Sequence, residues 1–129
     1  MLPFSVSLRA GIPIHDQLVL AVRRAVVSGQ LRPGDTFPSV RSLSQELGIN
    51  PNTAHKVVAA LVADGILAVK PGVGTVIADH PYDTRSERRQ VLQDDVQRLI
   101  VESRRAGLTL GDLLASIRHH WGTIVRRAG

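Results

Sequence analysis

Apolar residues recur at helical spacing along most of this chain. Ile14, Leu18, Val22, Ala25 and Val26 form one stripe, which predicts a helix opened by Ile12-Pro13, running to about Ser28 and stopped by Gly29. Val40, Leu43 and Leu47 form a second, shorter stripe with Ser39 placed to cap it. Ala54, Val57, Val58, Leu61 and Val62 form a third, which Asp64-Gly65 stops. Then the period changes. ILAVK and TVIA flank Pro71 to Gly74, which predicts two short strands and a tight connection. After His80-Pro81 the helical spacing returns. Val91, Leu92, Val96, Leu99, Ile100 and Ser103 lie on one side of a charged helix expected from Thr84 to Arg105 and broken by Gly107. Leu110, Leu113, Leu114, Ile117, Trp121, Ile124 and Val125 continue on a last helix. Thr109 and Asp112 have the spacing of an N-cap and its N3 partner there, and Leu108 and Leu113 that of a hydrophobic staple.

The second and third stripes are joined by Leu47-Gly48-Ile49-Asn50. Gly48 supplies the positive φ of a helix end, Ile49 is an apolar plug, and Asn50-Pro51 caps and opens the next helix. That is a helix-turn-helix pattern. Its second helix leaves Asn52, Thr53, His55 and Lys56 exposed in its first turns, where a major-groove reader makes base contacts. An ordinary helical hairpin has the same pattern. The strand pair that follows has the place of a wing, whose glycines at 72 and 74 allow close approach to a nucleic-acid backbone. The expected fold is mostly α with a small β-hairpin: a winged helix-turn-helix over residues 1–79, then a two-helix dimerisation tail over 80–129. Before it, Met1 to Gly11 reads as a short arm, extended around Phe4-Ser5-Val6, and Pro33-Gly34-Asp35 as a turn anchored by Leu31 and Phe37.

A two-helix tail is too small to enclose a core of its own. Its stripes need another surface, most simply a second copy, with docking onto the preceding helices of the same chain as the alternative. The residues expected between two subunits are Leu92, Val96, Leu99, Ile100, Leu113, Ile117, Trp121 and Ile124.

Charge sharpens the choice of partner. The 129 residues carry a net +5, and Arg supplies 14 of the 16 basic side chains. Arg is the better bidentate partner of phosphate and guanine. Aromatics make up 3%, which argues against stacking platforms for single strands. Arg23 and Arg24 read as a solvated face of the first helix, with a phosphate contact as the alternative. The absence of cysteine removes disulfides, thiolate nucleophiles and Cys-based zinc sites, and fits the cytoplasm. No apolar run approaches the ~18 residues of a membrane span, and no secretory leader is evident.

Catalytic readings find little support. No nucleophile elbow frames a serine, and no helix begins after Gly72 to Gly74 to make a phosphate loop. Asp94-Asp95 and His119-His120 are adjacent pairs that diverge on a helix, so neither paired acids nor a metal site is expected, and no cofactor is called for. Trp121, His119 and His120 could line a small pocket at a dimer interface, although Trp121 suits a core better.

Residues 12 to 78 resemble the DNA-binding domain of GntR-family transcriptional regulators. The resemblance rests on the run from Gly29 to Arg41 (GQLRPGDTFPSVR), on LGINPNT from Leu47, and on DGIL followed by the glycine wing. The short helical tail is similar to that of the YtrA-like subfamily, which lacks larger ligand-binding domains. The resemblance implies a dimeric repressor or activator on a palindromic operator, often controlling transporter operons. It implies a DNA contact for Arg41, recognition-helix contacts for Asn52, Thr53 and His55, and a wing role for Gly72. With the residue-level reading, the expected DNA-binding set is Arg41, Asn50, Asn52, Thr53, His55, Lys56, Lys70 and Gly72. Many relatives carry a basic residue where His55 stands, and several in the wing where this chain has only Lys70, which puts strong wing contacts in doubt. A winged helix used for protein contact, with specific DNA binding lost, is the alternative. Any small-molecule effector is expected between tail and DNA-binding domain, near Asp79-His80-Pro81.

Overall fold

Three amphipathic helices pack their stripes into one aliphatic core. They are α1 (Ile14–Val27), α2 (Val40–Leu47) and α3 (Pro51–Ala63) in a computed structural model that describes residues 1–81 and 88–126. Leu18, Val22, Leu43, Ala54, Val57 and Leu61 are wholly buried at the centre, with Val40, Leu47, Ile49, Val58 and Val62 partly buried around them. Ile14, expected in the α1 stripe, is instead 38% exposed: it is the first residue of the helix, beyond the reach of the core.

β1 (Leu67–Lys70) and β2 (Gly74–Ile77) form the expected antiparallel hairpin, with Leu67 opposite Ile77 and Lys70 opposite Gly74. The hairpin is closed onto the helices by Ile66, Leu67, Val76 and Ile77, all buried. The segment before α2 also belongs to this layer. Phe37 N–H donates to the Thr75 carbonyl at 2.8 Å, Ile77 N–H donates to the Asp35 carbonyl at 2.8 Å, and Thr36 bridges to Val76. So Pro33-Gly34-Asp35 is the turn that lays a third, minimal strand beside β2. The N-terminal arm is not a strand. Phe4 is buried and stacks on Phe37, ring centroids 5.7 Å apart and planes within 8°.

A π-helical turn at Gln90–Asp95 leads into α4 (Val96–Arg105), and α5 (Leu110–Arg126) follows. The expected start of this helix at Thr84 lies outside the described residues. Gly107, at φ +79°, ends α4: Leu108 N–H closes back on the Ser103 carbonyl at 2.9 Å, which buries Ser103 in the bend. Thr109 and Asp112 form the reciprocal cap of α5. Asp112 N–H donates to Thr109 Oγ1 at 3.1 Å, and Thr109 N–H donates to Asp112 Oδ2 at 3.0 Å. Donation to the carboxylate from the Thr109 backbone N–H, and then from the Thr109 hydroxyl, holds the Asp112 carboxyl below its ordinary 3.8. Within the single chain α5 rests on α1, and most of the apolar face of the pair stays open. Leu92 is 72% and Trp121 70% exposed, so Trp121 is not part of the core of one chain.

Candidate nucleic-acid interface

The bihelical unit is fixed by local hydrogen bonds that its sequence dictates. Ser39 Oγ accepts from Ser42 N–H at 3.1 Å and starts α2. Gly48 adopts φ +64° and hands its N–H, with that of Ile49, to the Ser44 carbonyl, ending the helix. Asn50 Oδ1 then accepts from Asn52 N–H at 2.8 Å and starts α3, with Pro51 at its first position. Three residues, Gly48, Ile49 and Asn50, thus turn the chain from one helix to the next and satisfy backbone groups at both helix ends.

Ala54, Val57 and Leu61 point α3 inward, which leaves the other side of its first two turns to polar groups. Asn52, His55 and Lys56 are exposed there, and Thr53 is half-buried between them and the core. Arg41 is exposed at the second position of α2, and among the described residues its guanidinium has no hydrogen bond or ion pair. Asn50 has a structural task as the cap, so its side-chain oxygen is already engaged. Lys70 and Gly72 are exposed at the end of β1 and in the turn of the hairpin, Gly72 at φ +77°. The hairpin tip carries Pro71, Gly72, Val73 and Gly74, uncharged throughout, with Val73 62% exposed. α2 and β1 both pack on α3, so Arg41, the start of α3 and Lys70 belong to elements held by one core.

Sequence reasoning did not single out the ion pair between Arg23 on α1 and Asp64 at the end of α3. It ties one of the two α1 arginines to the end of α3. No pattern within either helix could have shown it, since the partners are separated by 41 positions. Of the eight residues expected at a subunit interface, Leu113 and Ile124 are half-buried and the other six exposed in the single chain.

The sequence profile of bacterial regulatory proteins of the gntR family matches residues 14–77, which are α1 through β2. The chain is 31% identical over 114 residues to the HTH-type transcriptional repressor YtrA of Bacillus subtilis, covering 88% of this chain and 84% of that one. This chain belongs to the gntR family of bacterial regulators. It is a regulatory protein, then, and not an enzyme, and 114 aligned residues are more than the DNA-binding stretch 14–77 can hold. It is also 30% identical over 115 residues to the HTH-type transcriptional regulator Rv1152 of Mycobacterium tuberculosis, covering 88% of this chain and 90% of that one. Among solved structures, a transcriptional antiterminator from Listeria monocytogenes superposes with a TM-score of 0.82 at 22% identity, over 95% of this chain and 92% of the other. At that identity the likeness speaks for the fold, tail included. Among the described residues no helix of this family member is long and apolar enough to cross a membrane.

Proposed function

We propose that the chain acts in the cytoplasm as a homodimeric repressor that reads a two-fold symmetric site in duplex DNA. Residues 1–79 are the reading head and residues 80–129 the pairing tail. The observation that carries the proposal is the division of α3: one face is wholly buried, and the opposite face of its first turns offers Asn52, His55 and Lys56 to solvent. An amide, an imidazole and an ammonium supply the donors and acceptors that base edges and phosphates need. Arg41 adds a guanidinium from the start of α2, and Thr53 a hydroxyl. Lys70 and Gly72 bring the wing to the backbone with little charge.

Pairing is supported by the apolar face of the tail. Leu92, Val96, Leu99, Ile100, Ile117 and Trp121 are between 37% and 72% exposed in one chain. Large apolar side chains left open on both tail helices are what a subunit interface covers. Two linked heads bind a palindrome with an effective concentration set by the tail, which raises affinity without any new base contact.

Two measurements test this. Fluorescence anisotropy with a duplex selected from a random-sequence pool, against the same sequence single-stranded, should show a preference for duplex; equal binding to both would remove the major-groove reading. Sedimentation equilibrium should give a dimer at micromolar concentration for the full chain and a monomer for Ile117→Asp. Residue 117 is 42% exposed in the single chain, so the charge leaves the core of one chain untouched. A wild-type monomer, or a dimer indifferent to that substitution, would refute the proposed interface.

A further inference from the structure

An open cleft of about 650 Å³ lies between the N-terminal arm, α1 and the far end of α5. That volume falls within the range of roughly 300–1,000 Å³ usual for small-molecule sites. Its walls come from both sides of the proposed head–tail boundary, and none of residues 79–81 lines it. Head and tail thus also meet where α5 contacts α1, and the cleft lies there, away from the segment near which the sequence places an effector.

Two features of the lining stand out. Arg9 and Arg24 both line the cleft, and among the described residues neither guanidinium has a hydrogen-bond or ion-pair partner. The other ionisable residues of the wall are Asp16, which faces its neighbour His15 Nδ1 at 3.4 Å, and His120 on α5. The cationic groups thus outnumber the carboxylate. Gln17 fixes the arm that carries Arg9: its Oε1 accepts from Arg9 N–H at 2.7 Å, and its Nε2 donates to the Arg9 and Ile12 carbonyls at 2.8 Å. The second feature is apolar. Leu20 is 54% and Ile12 46% exposed, and both line the cleft with Ile124 of α5. Leu20 sits between buried Leu18 and Ala21, so it is the residue of α1 that the core leaves to this cleft.

We infer that the cleft binds a small amphipathic anion, its acid group on Arg9 and Arg24 and its hydrocarbon on Leu20, Ile12 and Ile124. A carboxylate or phosphate satisfies a guanidinium with charge-assisted hydrogen bonds, and the apolar part covers surface that the described residues leave open. Such a ligand touches arm and α1 on one side and α5 on the other, so its occupancy favours one angle between head and tail. The spacing of two heads in a dimer follows that angle, and DNA affinity shifts by the difference in ligand affinity between the two arrangements. This regulatory consequence rests on the DNA reading proposed above; the binding itself does not.

Isothermal titration calorimetry of the full chain, with no DNA present, should show saturable binding of octanoate. Octanol and inorganic phosphate should each bind at least about tenfold more weakly, since each supplies only one half of the chemistry. Arg9→Gln and Arg24→Gln should each weaken octanoate by about tenfold, the effect of one partly exposed charge-assisted contact. Octanol equal to octanoate would reduce the cleft to a greasy surface, and phosphate equal to octanoate would reduce it to a charge site; either overturns the proposal. So would octanoate binding that ignores both arginine substitutions, or no saturable response at all. Because the titration is free of DNA, any of these failures leaves duplex binding standing.

Discussion

Replacing Arg41 by alanine separates two kinds of DNA contact by magnitude. Arg41 is exposed at the second position of α2, one turn ahead of nothing it must support; Leu43 carries the burial of that helix. Alanine is a good helix former, so the variant should keep its fold within about 0.5 kcal/mol. The positive end of the α2 dipole lies beside the guanidinium and favours an anion there. If Arg41 grips a guanine bidentately, its loss should cost about 1–3 kcal/mol, or roughly 5- to 150-fold, at the selected site and little on a scrambled duplex. If it grips a phosphate, both duplexes weaken alike. One phosphate contact adds about 0.9 to the slope of log affinity against log salt. Between about 50 and 200 mM salt that is a factor of about 3.5 for one head and about 12 for two. Anisotropy on both duplexes at both salts therefore distinguishes the cases. A folded variant with unchanged affinity for both, at both salts, would refute a role for Arg41 at the interface.

Two further substitutions probe the local devices that place the site. Gly48→Ala should cost about 1 kcal/mol, because alanine resists φ +64° although its Cβ meets no atom within 4 Å; a thermal melt should fall by several degrees, and Gly48→Asn by less. An unchanged melting temperature would show that the turn does not depend on that dihedral. Asp112→Asn should lower stability at neutral pH, since the carboxylate is the better acceptor for Thr109. Because the folded carboxyl sits below 3.8, this contribution is fully present above 3.8 and is lost as pH falls through the lower folded value; the gap in melting temperature between wild type and variant should close in that window, and a gap constant from neutral to acid pH would contradict it.

The local part of this fold was legible in the sequence and the long-range part was not. Ser39, Gly48, Asn50, Pro51, Thr109 and Asp112 act within four residues of their own positions, so their spacing alone placed the caps and turns now seen. The hairpin was legible for the same reason. The bridge from Thr36 to Val76 and the stack of Phe4 on Phe37 were not, because each joins segments more than thirty residues apart that carry no matching periodicity. The π-helical turn at Gln90–Asp95 left no mark either, since it adds one residue to a turn without changing which residues are apolar. Trp121 shows a different limit. A stripe of apolar residues tells which side of a helix wants cover, and Trp121 lies on that side, but only the packed chain shows that its own head leaves it 70% exposed.

Charge distribution bears on why pairing should matter to this protein more than its net +5 suggests. Of its 16 basic side chains, only Arg41, Lys56 and Lys70 belong to the proposed reading surface. Arg23 is committed to Asp64, and Arg9 and Arg24 line the cleft at the other side of α1. Arg98, Arg104, Arg105 and Arg118 lie on the tail. The wing tip is uncharged and presents Val73 instead. Three cations on one head would contribute a salt slope of about −2.7, which is weak electrostatic anchoring, whereas two heads joined by their tails would contribute about −5.4. A single head with so few phosphate contacts has little hold on random DNA. Affinity would then come from presenting two such heads at the right separation, and a ligand in the proposed α1–α5 cleft would act on DNA binding through that separation.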